Sequence, residues 1–176
     1  MSLRQDCRTN MSFQSSTSKE DKQWLKILEK DLSNSLNNWF SAGLAKVERV
    51  TWDSSSAELL ENLFKSEQVH KIVSVDDFKY RLNLKNRRVF AYCHPVTGKN
   101  EPLVILYVAL VNEISDSVDE LIRPDSHTSD KAEIIKTENP DTAIFYSISS
   151  RGNQLGLQGI DLGNQMIKQL VGVVQM

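Results

Sequence analysis

Apolar residues recur at Trp24, Leu28, Leu32, Leu36 and Trp39, spaced four, four, four and three apart. That spacing returns to one side of an α-helix at every turn, so residues 20–40 are predicted to form an amphipathic helix with both tryptophans on its buried stripe. Gly43 suits its end. A solitary helix of this kind has no second helix to make a hairpin with, and is expected to be the tail of a larger helical unit or a face that docks on the next domain. Val47, Val50 and Trp52 then alternate with polar residues like a short strand. Ser55 with Glu58 makes a capping-box pair ahead of Leu59, Leu60, Leu63 and Phe64, and Ser74 with Asp77 repeats the signal ahead of Phe78 and Leu82. Each predicts a short helix.

The period changes at Val89. Residues 89–94 and 103–111 are rich in β-forming types, and the stretch from Pro95 to Pro102, with Gly98 inside it, punctuates a hairpin between them. The second of these strands is apolar at both odd and even positions, as expected of a central strand in a sheet covered on both faces. Residues 114–122 predict one or two helical turns capped by Ser115. Residues 123–140 are dominated by Asp, Ser, Thr, Lys and Glu and read as a mobile surface connection without chemistry. A buried strand is expected at 142–149, then a loop holding Gly152, Gly156, Gly159 and Gly163, then a helix from Asn164 with Met166, Ile167, Leu170, Val171 and Val174 in helical register. The fold class is α+β.

Composition narrows the function more than the fold. The 176 residues are 40% hydrophobic, enough for a packed core, and carry a net charge of −2 with both signs interspersed. That balance presents no footprint for nucleic acid or an anionic membrane, so any anion must be held locally. No run approaches the roughly 18–20 apolar residues of a membrane span. The first 22 residues lack the apolar stretch of a secretory signal; they are rich in Ser, Thr and Gln with Arg4 and Arg8, faintly like a transit sequence, but Asp6, Glu20 and Asp21 count against one. Residues 1–19 are expected to be a disordered leader. Cys7 and Cys93 are the two cysteines. Their separation gives neither a disulfide framework nor a metal spacing, which favours a reducing compartment, and Cys93 in its apolar strand reads as a small core residue.

A strand, a glycine-bearing loop and a helix make an anion site, because the tight loop aims unpaired backbone N–H groups along the helix dipole at one point. Here that loop is Gln158-Gly-Ile-Asp-Leu-Gly163. Glycine at 159 and 163 lets the backbone approach a pyrophosphate, and Ile160 and Leu162 are placed to anchor the loop in the core. The chain has neither the phosphate loop of ATP-binding proteins nor the glycine order of dinucleotide-binding ones, so ATP and NAD are disfavoured. His94 precedes a proline at a strand end and His70 lies between helices; both imidazoles are expected to face solvent, and no serine–histidine pair is assigned.

The loop resembles the Q/R-x-x-G-x-G/A signature of the GNAT acyltransferase fold, departing from it at Asp161, where glycine is usual. With its neighbours the resemblance sharpens. Ala143-Ile-Phe-Tyr-Ser-Ile-Ser149, Gly156-Leu-Gln-Gly-Ile-Asp-Leu-Gly-Asn164 and Ile167-Lys168 together look like malonyl-CoA decarboxylase, and Val50-Thr-Trp52, Arg87-Arg-Val-Phe90, His94-Pro95 and Glu101-Pro-Leu-Val104 through Val108-Ala-Leu110 occur in the same order in that family. The match runs from Val47 to Val174, and Trp39-Phe-Ser-Ala-Gly43 looks like the end of the family's N-terminal helical domain.

The resemblance implies a leader over 1–19, the end of a helical domain over 20–45, and over 46–176 an incomplete GNAT-like mixed sheet with flanking helices. It implies conversion of malonyl-CoA to acetyl-CoA and carbon dioxide in fatty-acid metabolism, with no cofactor beyond the coenzyme A that belongs to the substrate. The expected substrate-binding residues are Gln158, Gly159, Ile160, Asp161, Leu162, Gly163, Asn164 and Ile167; for Leu162 and Ile167, packing under the loop is an equal reading. Ser147 and Ser149 lie at the carboxyl end of the strand beside the expected thioester position, where one hydroxyl is a candidate substrate donor. The family's catalytic serine and histidine fall in motifs beyond this helix, so no catalytic residue is assigned. The chain is expected to be a fragment whose strand at 142–149 has an open edge, marginally stable alone. Other readings kept open are a non-catalytic product that binds coenzyme A or pairs with full-length subunits, and an acetyltransferase of the wider fold. A homo-oligomer is implied for the complete protein, in mitochondria, cytoplasm or peroxisomes.

Overall fold

The computed structural model describes residues 6–10, 18–83, 86–122, 139–150 and 157–174. In order these form α1 (Lys19–Ser41), β1 (Lys46–Val50), α2 (Ala57–Ser66), α3 (Val75–Asn83), β2 (Arg87–Cys93), β3 (Val104–Val111), α4 (Val118–Ile122), β4 (Thr142–Ser150) and α5 (Leu162–Val174). The fold is α+β. Contacts divide the chain into two units, Met1–Lys46 with Ser150–Met176, and Val47–Ser149. The polar connection expected at 123–140 lies outside the described residues up to 138, as do Gly152 and Gly156. No helix among the described residues is long and apolar enough to cross a membrane.

Within Val47–Ser149 the strands lie in the order β1-β2-β3-β4. β2 and β3 are antiparallel, with Arg87 opposite Ala109 and Tyr92 opposite Val104, as the Pro95–Pro102 hairpin predicts. All eight residues of β3 are buried. Its odd positions Ile105, Tyr107, Ala109 and Val111 join Val89, Ala91 and Cys93 of β2 in a core with Leu60 and Leu63 of α2 and Phe78 and Leu82 of α3. Its even positions are buried too, which is why the sequence there runs apolar without alternation.

β4 departs from the sequence reading. It ends the strand order of the described residues, as the expected open edge implies, but it is not the buried strand predicted: only Tyr146 and Ser147 along it are buried, while Phe145 and Ile148 are 38% and 43% exposed. An apolar run on an end strand is indistinguishable by pattern from one in the middle of a sheet. Two caps also shift. Ser56, not Ser55, caps α2 through Leu59 N–H, while Ser55 accepts from Thr51 N–H; and α4 starts at Val118, with Ser115 spent on a turn to Ser117. The second predicted cap is as expected: Ser74 Oγ accepts from Asp77 N–H.

α1 forms where predicted but buries a different face. Trp24 and Leu28 are 69% and 41% exposed and Trp39 37%, whereas Leu25, Glu29, Leu32, Ser33, Leu36 and Asn37 are half-buried and Phe40 is buried. The covered stripe is therefore turned by about one position from the apolar one, and it carries polar residues. α1 ends on Gly43, whose φ of +81° is the left-handed conformation that favours glycine. Nor does the expected disordered leader hold at residues 6–10, which are helical, with Cys7 3% exposed.

Charge inside the second unit is matched locally. Arg81, 1% exposed, donates to both oxygens of Asp77 at 2.8 and 2.9 Å and to the carbonyls of His70 and Lys71 at 2.7 and 3.3 Å. Asp77 in turn accepts from Val73 N–H. Removing one member leaves the other charge buried without compensation, so Asp77→Ala is expected to cost about 3–5 kcal/mol in urea unfolding. A loss below about 1 kcal/mol contradicts a desolvated pair, since that is the scale of an exposed one.

Candidate functional site

The glycine loop begins as a tight turn. Ile160 N–H donates to the Leu157 carbonyl at 3.0 Å, and Gly159 holds a φ of +79°, the value a type II turn requires at its third residue. Leu162 N–H then reaches back to Ile160 C=O at 2.9 Å, and α5 starts. The turn sorts its side chains. Ile160 and Leu162, 8% and 1% exposed, plug the loop into the interior as predicted, and Leu157, 1% exposed, joins them. Gln158, Gly159, Asp161 and Asn164 are exposed, and Gly163 and Ile167 half-buried. Leu162 thus packs under the loop, and Met166 and Leu170 continue its buried face.

The polar groups of the loop are distributed between internal partners and open space. Asp161 N–H donates to Asn37 Oδ1 at 3.2 Å, and Gln165 N–H closes the first α5 bond to Asp161 C=O at 3.2 Å. The Asp161 carboxylate accepts from Asn164 Nδ2 at 2.9 Å and sits at the positive end of the α5 dipole. Gln158 is held by Arg8, which donates to its side-chain oxygen at 2.8 Å and to its carbonyl at 2.9 Å. Among the described residues no acceptor meets the N–H groups of Gly163 and Asn164. Two adjacent amides at a helix start are what an anion binds.

Comparison with known proteins decides the family. Residues 43–176 match the family model described as the malonyl-CoA decarboxylase C-terminal domain. The chain belongs to the malonyl-CoA decarboxylase family. It is 40% identical over 148 residues to the goose (Anser anser anser) protein named malonyl-CoA decarboxylase, mitochondrial, and 38% over 146 to the rat (Rattus norvegicus) protein of that name, covering in each case 82% of this chain and 27% of the relative. The crystal structure of malonyl-CoA decarboxylase from Agrobacterium vitis superposes with a TM-score of 0.73 at 29% identity, over 99% of this chain and 38% of that one. The chain therefore spans about a quarter of the length of these curated relatives.

Of the other residues weighed from the sequence, Ser147 is 5% exposed and donates to Glu67, at 3.0 Å to one carboxylate oxygen and 3.2 Å to the other. Its hydroxyl is committed to that carboxylate; Ser149 is half-buried. Glu67, 4% exposed at the end of α2, also accepts from Val69 and His70 N–H. Three donors, one hydroxyl and two backbone amides, thus satisfy a desolvated carboxylate. Beside it lies a cavity of about 320 Å³ lined by Gln68, His70, Lys71, Arg81 and Asp119 among others. The phenols of Tyr107 and Tyr146 are pushed well up by burial and stay neutral.

His94 corrects the sequence reading: it is 2% exposed, not solvent-facing. Its Nδ1 accepts from Val96 N–H at 3.2 Å, which ties the imidazole into the turn after β2. Cys93 is a core thiol as expected, raised to about 11 by burial first and the Glu48 charge second, so it is a poor nucleophile at neutral pH. Arg8, Asn37 and Glu67 escaped the sequence reading. Arg8 and Asn37 gave no local signal, since their partners are distant in sequence. Glu67 gave a faint one, because a carboxylate at a helix C-terminus opposes the dipole and needs other donors.

Burial lowers the pKa of His94 from its ordinary 6.5, so the folded chain favours the neutral ring. A base with a depressed folded pKa contributes its full stability above the unfolded pKa and loses it as pH falls below about 6.5. The thermal midpoint of the chain should therefore drop between pH 7 and pH 5 by more than that of His94→Gln. Parallel profiles contradict a neutral, buried His94.

Proposed function

We propose that the loop Gln158–Asn164 holds the pyrophosphate of a coenzyme A thioester, and that the chain supplies this handle to a malonyl-CoA decarboxylase acting on malonyl-CoA. The reading is carried by one observation: the N–H groups of Gly163 and Asn164 stand without acceptors among the described residues at the start of α5, on a loop whose Gly159 φ of +79° brings backbone to the surface. Family membership supplies the chemistry of the ligand. Gly159 makes the turn, Ile160 and Leu162 hold it down, and Gly163 and Asn164 donate. Gln158 and Asp161 lie on the approach to the donors, and Ile167, half-buried one turn into α5, follows them with an apolar surface.

In the reaction proposed for the whole protein, malonyl-CoA loses carbon dioxide, and the electron pair of the broken C–C bond passes to the thioester as an enolate. A donor must stabilise that oxygen and an acid must deliver a proton to carbon, giving acetyl-CoA. Binding at the loop contributes by fixing the remote end of the substrate, so that part of the binding energy is used to orient the thioester. No cofactor beyond the coenzyme A of the substrate is needed for these steps. The word mitochondrial in the names of the goose and rat relatives supports a mitochondrial compartment over cytoplasm or peroxisome. Assembly into a homo-oligomer belongs to the same proposal for the whole protein.

Titration of the chain with acetyl-CoA in a calorimeter tests the handle. Saturable binding is expected, and Gly163→Trp should abolish it by filling the space over the donors. Absence of heat at millimolar ligand, or unchanged binding by Gly163→Trp, removes the assignment.

A further inference from the structure

Arg8 and Asn37 are joined to the loop by hydrogen bonds that span 150 and 124 residues of sequence. Arg8 reaches it as a fork. One terminal nitrogen donates to Gln158 Oε1 at 2.8 Å and the other to Gln158 C=O at 2.9 Å. The far side of the guanidinium is fixed by Glu29 of α1, which accepts from Nε at 3.0 Å and from Nη2 at 2.8 Å. Two helical turns along α1 from Glu29, Asn37 accepts the N–H of Asp161. The amide of Asn37 is oriented in its own helix, because its Nδ2 donates to Ser33 C=O at 3.1 Å, leaving Oδ1 aimed at the loop.

These ties fall on the second residue of the turn and on the residue that follows it. Gln158 precedes Gly159 and Asp161 follows Ile160, so both the entry and the exit of the glycine turn are fastened to the polar stripe of α1. The apolar plugs Ile160 and Leu162 fix the depth of the loop, and the ties fix its rotation. Rotation matters because amides bind an anion only when their N–H vectors converge. The Arg8 charge is already neutralised by Glu29 at 2.8 Å, so its contribution is the direction of the fork and not a positive field. Gln158 is then an intermediary whose oxygens face Arg8.

We propose that Arg8 and Asn37 are positioning residues of the coenzyme A site, setting the orientation in which Gly163 and Asn164 present their N–H groups. The inference rests on the reading of the loop as a pyrophosphate site. It implies that a lysine cannot replace Arg8. A lysine keeps the charge and can pair with Glu29, but a single ammonium does not reproduce the planar fork on two oxygens of one residue.

Two readouts on the full chain separate the inference from the reading beneath it. Hydrogen–deuterium exchange of peptides covering residues 157–165 should accelerate about tenfold in Arg8→Lys and in Asn37→Ala, the scale of one lost charge-assisted or anchoring hydrogen bond. Peptides covering β2 and β3 should stay at the wild-type rate. Titration with coenzyme A should show affinity about tenfold weaker in each variant, and a double-mutant cycle of Arg8→Lys with Gln158→Leu should be non-additive, because both remove one interaction. Unchanged exchange in both variants overturns the clamp. Accelerated exchange with wild-type affinity overturns its positioning role. If exchange accelerates but the wild-type chain does not bind coenzyme A, the clamp stands as the loop's anchor and the pyrophosphate reading falls.

Discussion

The first turn of an α-helix has N–H groups for which the helix itself supplies no carbonyl, and much of what surrounds α5 follows from how these are satisfied. One is taken by the carbonyl of Ile160 through a narrow turn, and the preceding one by Asn37 of α1. The pair at Gly163 and Asn164 is left. Around that pair the chain arranges a glycine with positive φ, two apolar plugs and a fork from Arg8, all of which constrain the direction of the remaining donors. A loop required only to reverse the chain needs none of these long-range ties. The proposed role of the loop as a pyrophosphate handle rests on this arrangement.

The second unit solves a different problem, that of burying charge. Glu67, Asp77 and Arg81 are buried or nearly so, and each has its partners within hydrogen-bonding distance. Glu67 gathers Ser147 of β4 and the backbone after α2, and Arg81 gathers two carbonyls of the same stretch. The segment between α2 and α3 is thus shaped by polar bonds, while the sheet beneath is shaped by apolar contact. Arg87 adds a similar bond to the core, donating from Nε to the Leu121 carbonyl at 2.9 Å in the last turn of α4. Such networks stabilise only when complete, since each unpaired member is left desolvated.

What could be read from the sequence was whatever depended on neighbours in the chain. The β3 run Val104–Val111, the hairpin at Gly98, the Ser74 cap and the strand–loop–helix order around Gly159 all rest on patterns of a few residues, and the structure has them. The orientation of α1 could not be read that way. Its apolar stripe suggested Trp24 and Leu28 as buried, but Glu29 and Asn37 turn inward because Arg8 and Asp161 hold them there. His94 was misplaced for a related reason: a histidine before a proline looks exposed unless the turn it binds, at Val96, is known. β4 is the end strand that an open edge at 142–149 implied, but its burial was misread, because an apolar run does not show how much of an end strand is covered. Function was legible because several short segments agreed in order with one family, and that agreement carried more than the glycine pair alone.

The claim that Gly163 and Asn164 are the anion donors is tested most directly by following backbone amide resonances of the full chain as coenzyme A is added. The account predicts that the amides of Gly163 and Asn164 shift first and furthest, with Asp161 next, and that inorganic pyrophosphate moves the same set. If the largest shifts fall instead on residues 68–71 and Arg81 around the cavity, or if these amides do not move, the loop is not the coenzyme A handle.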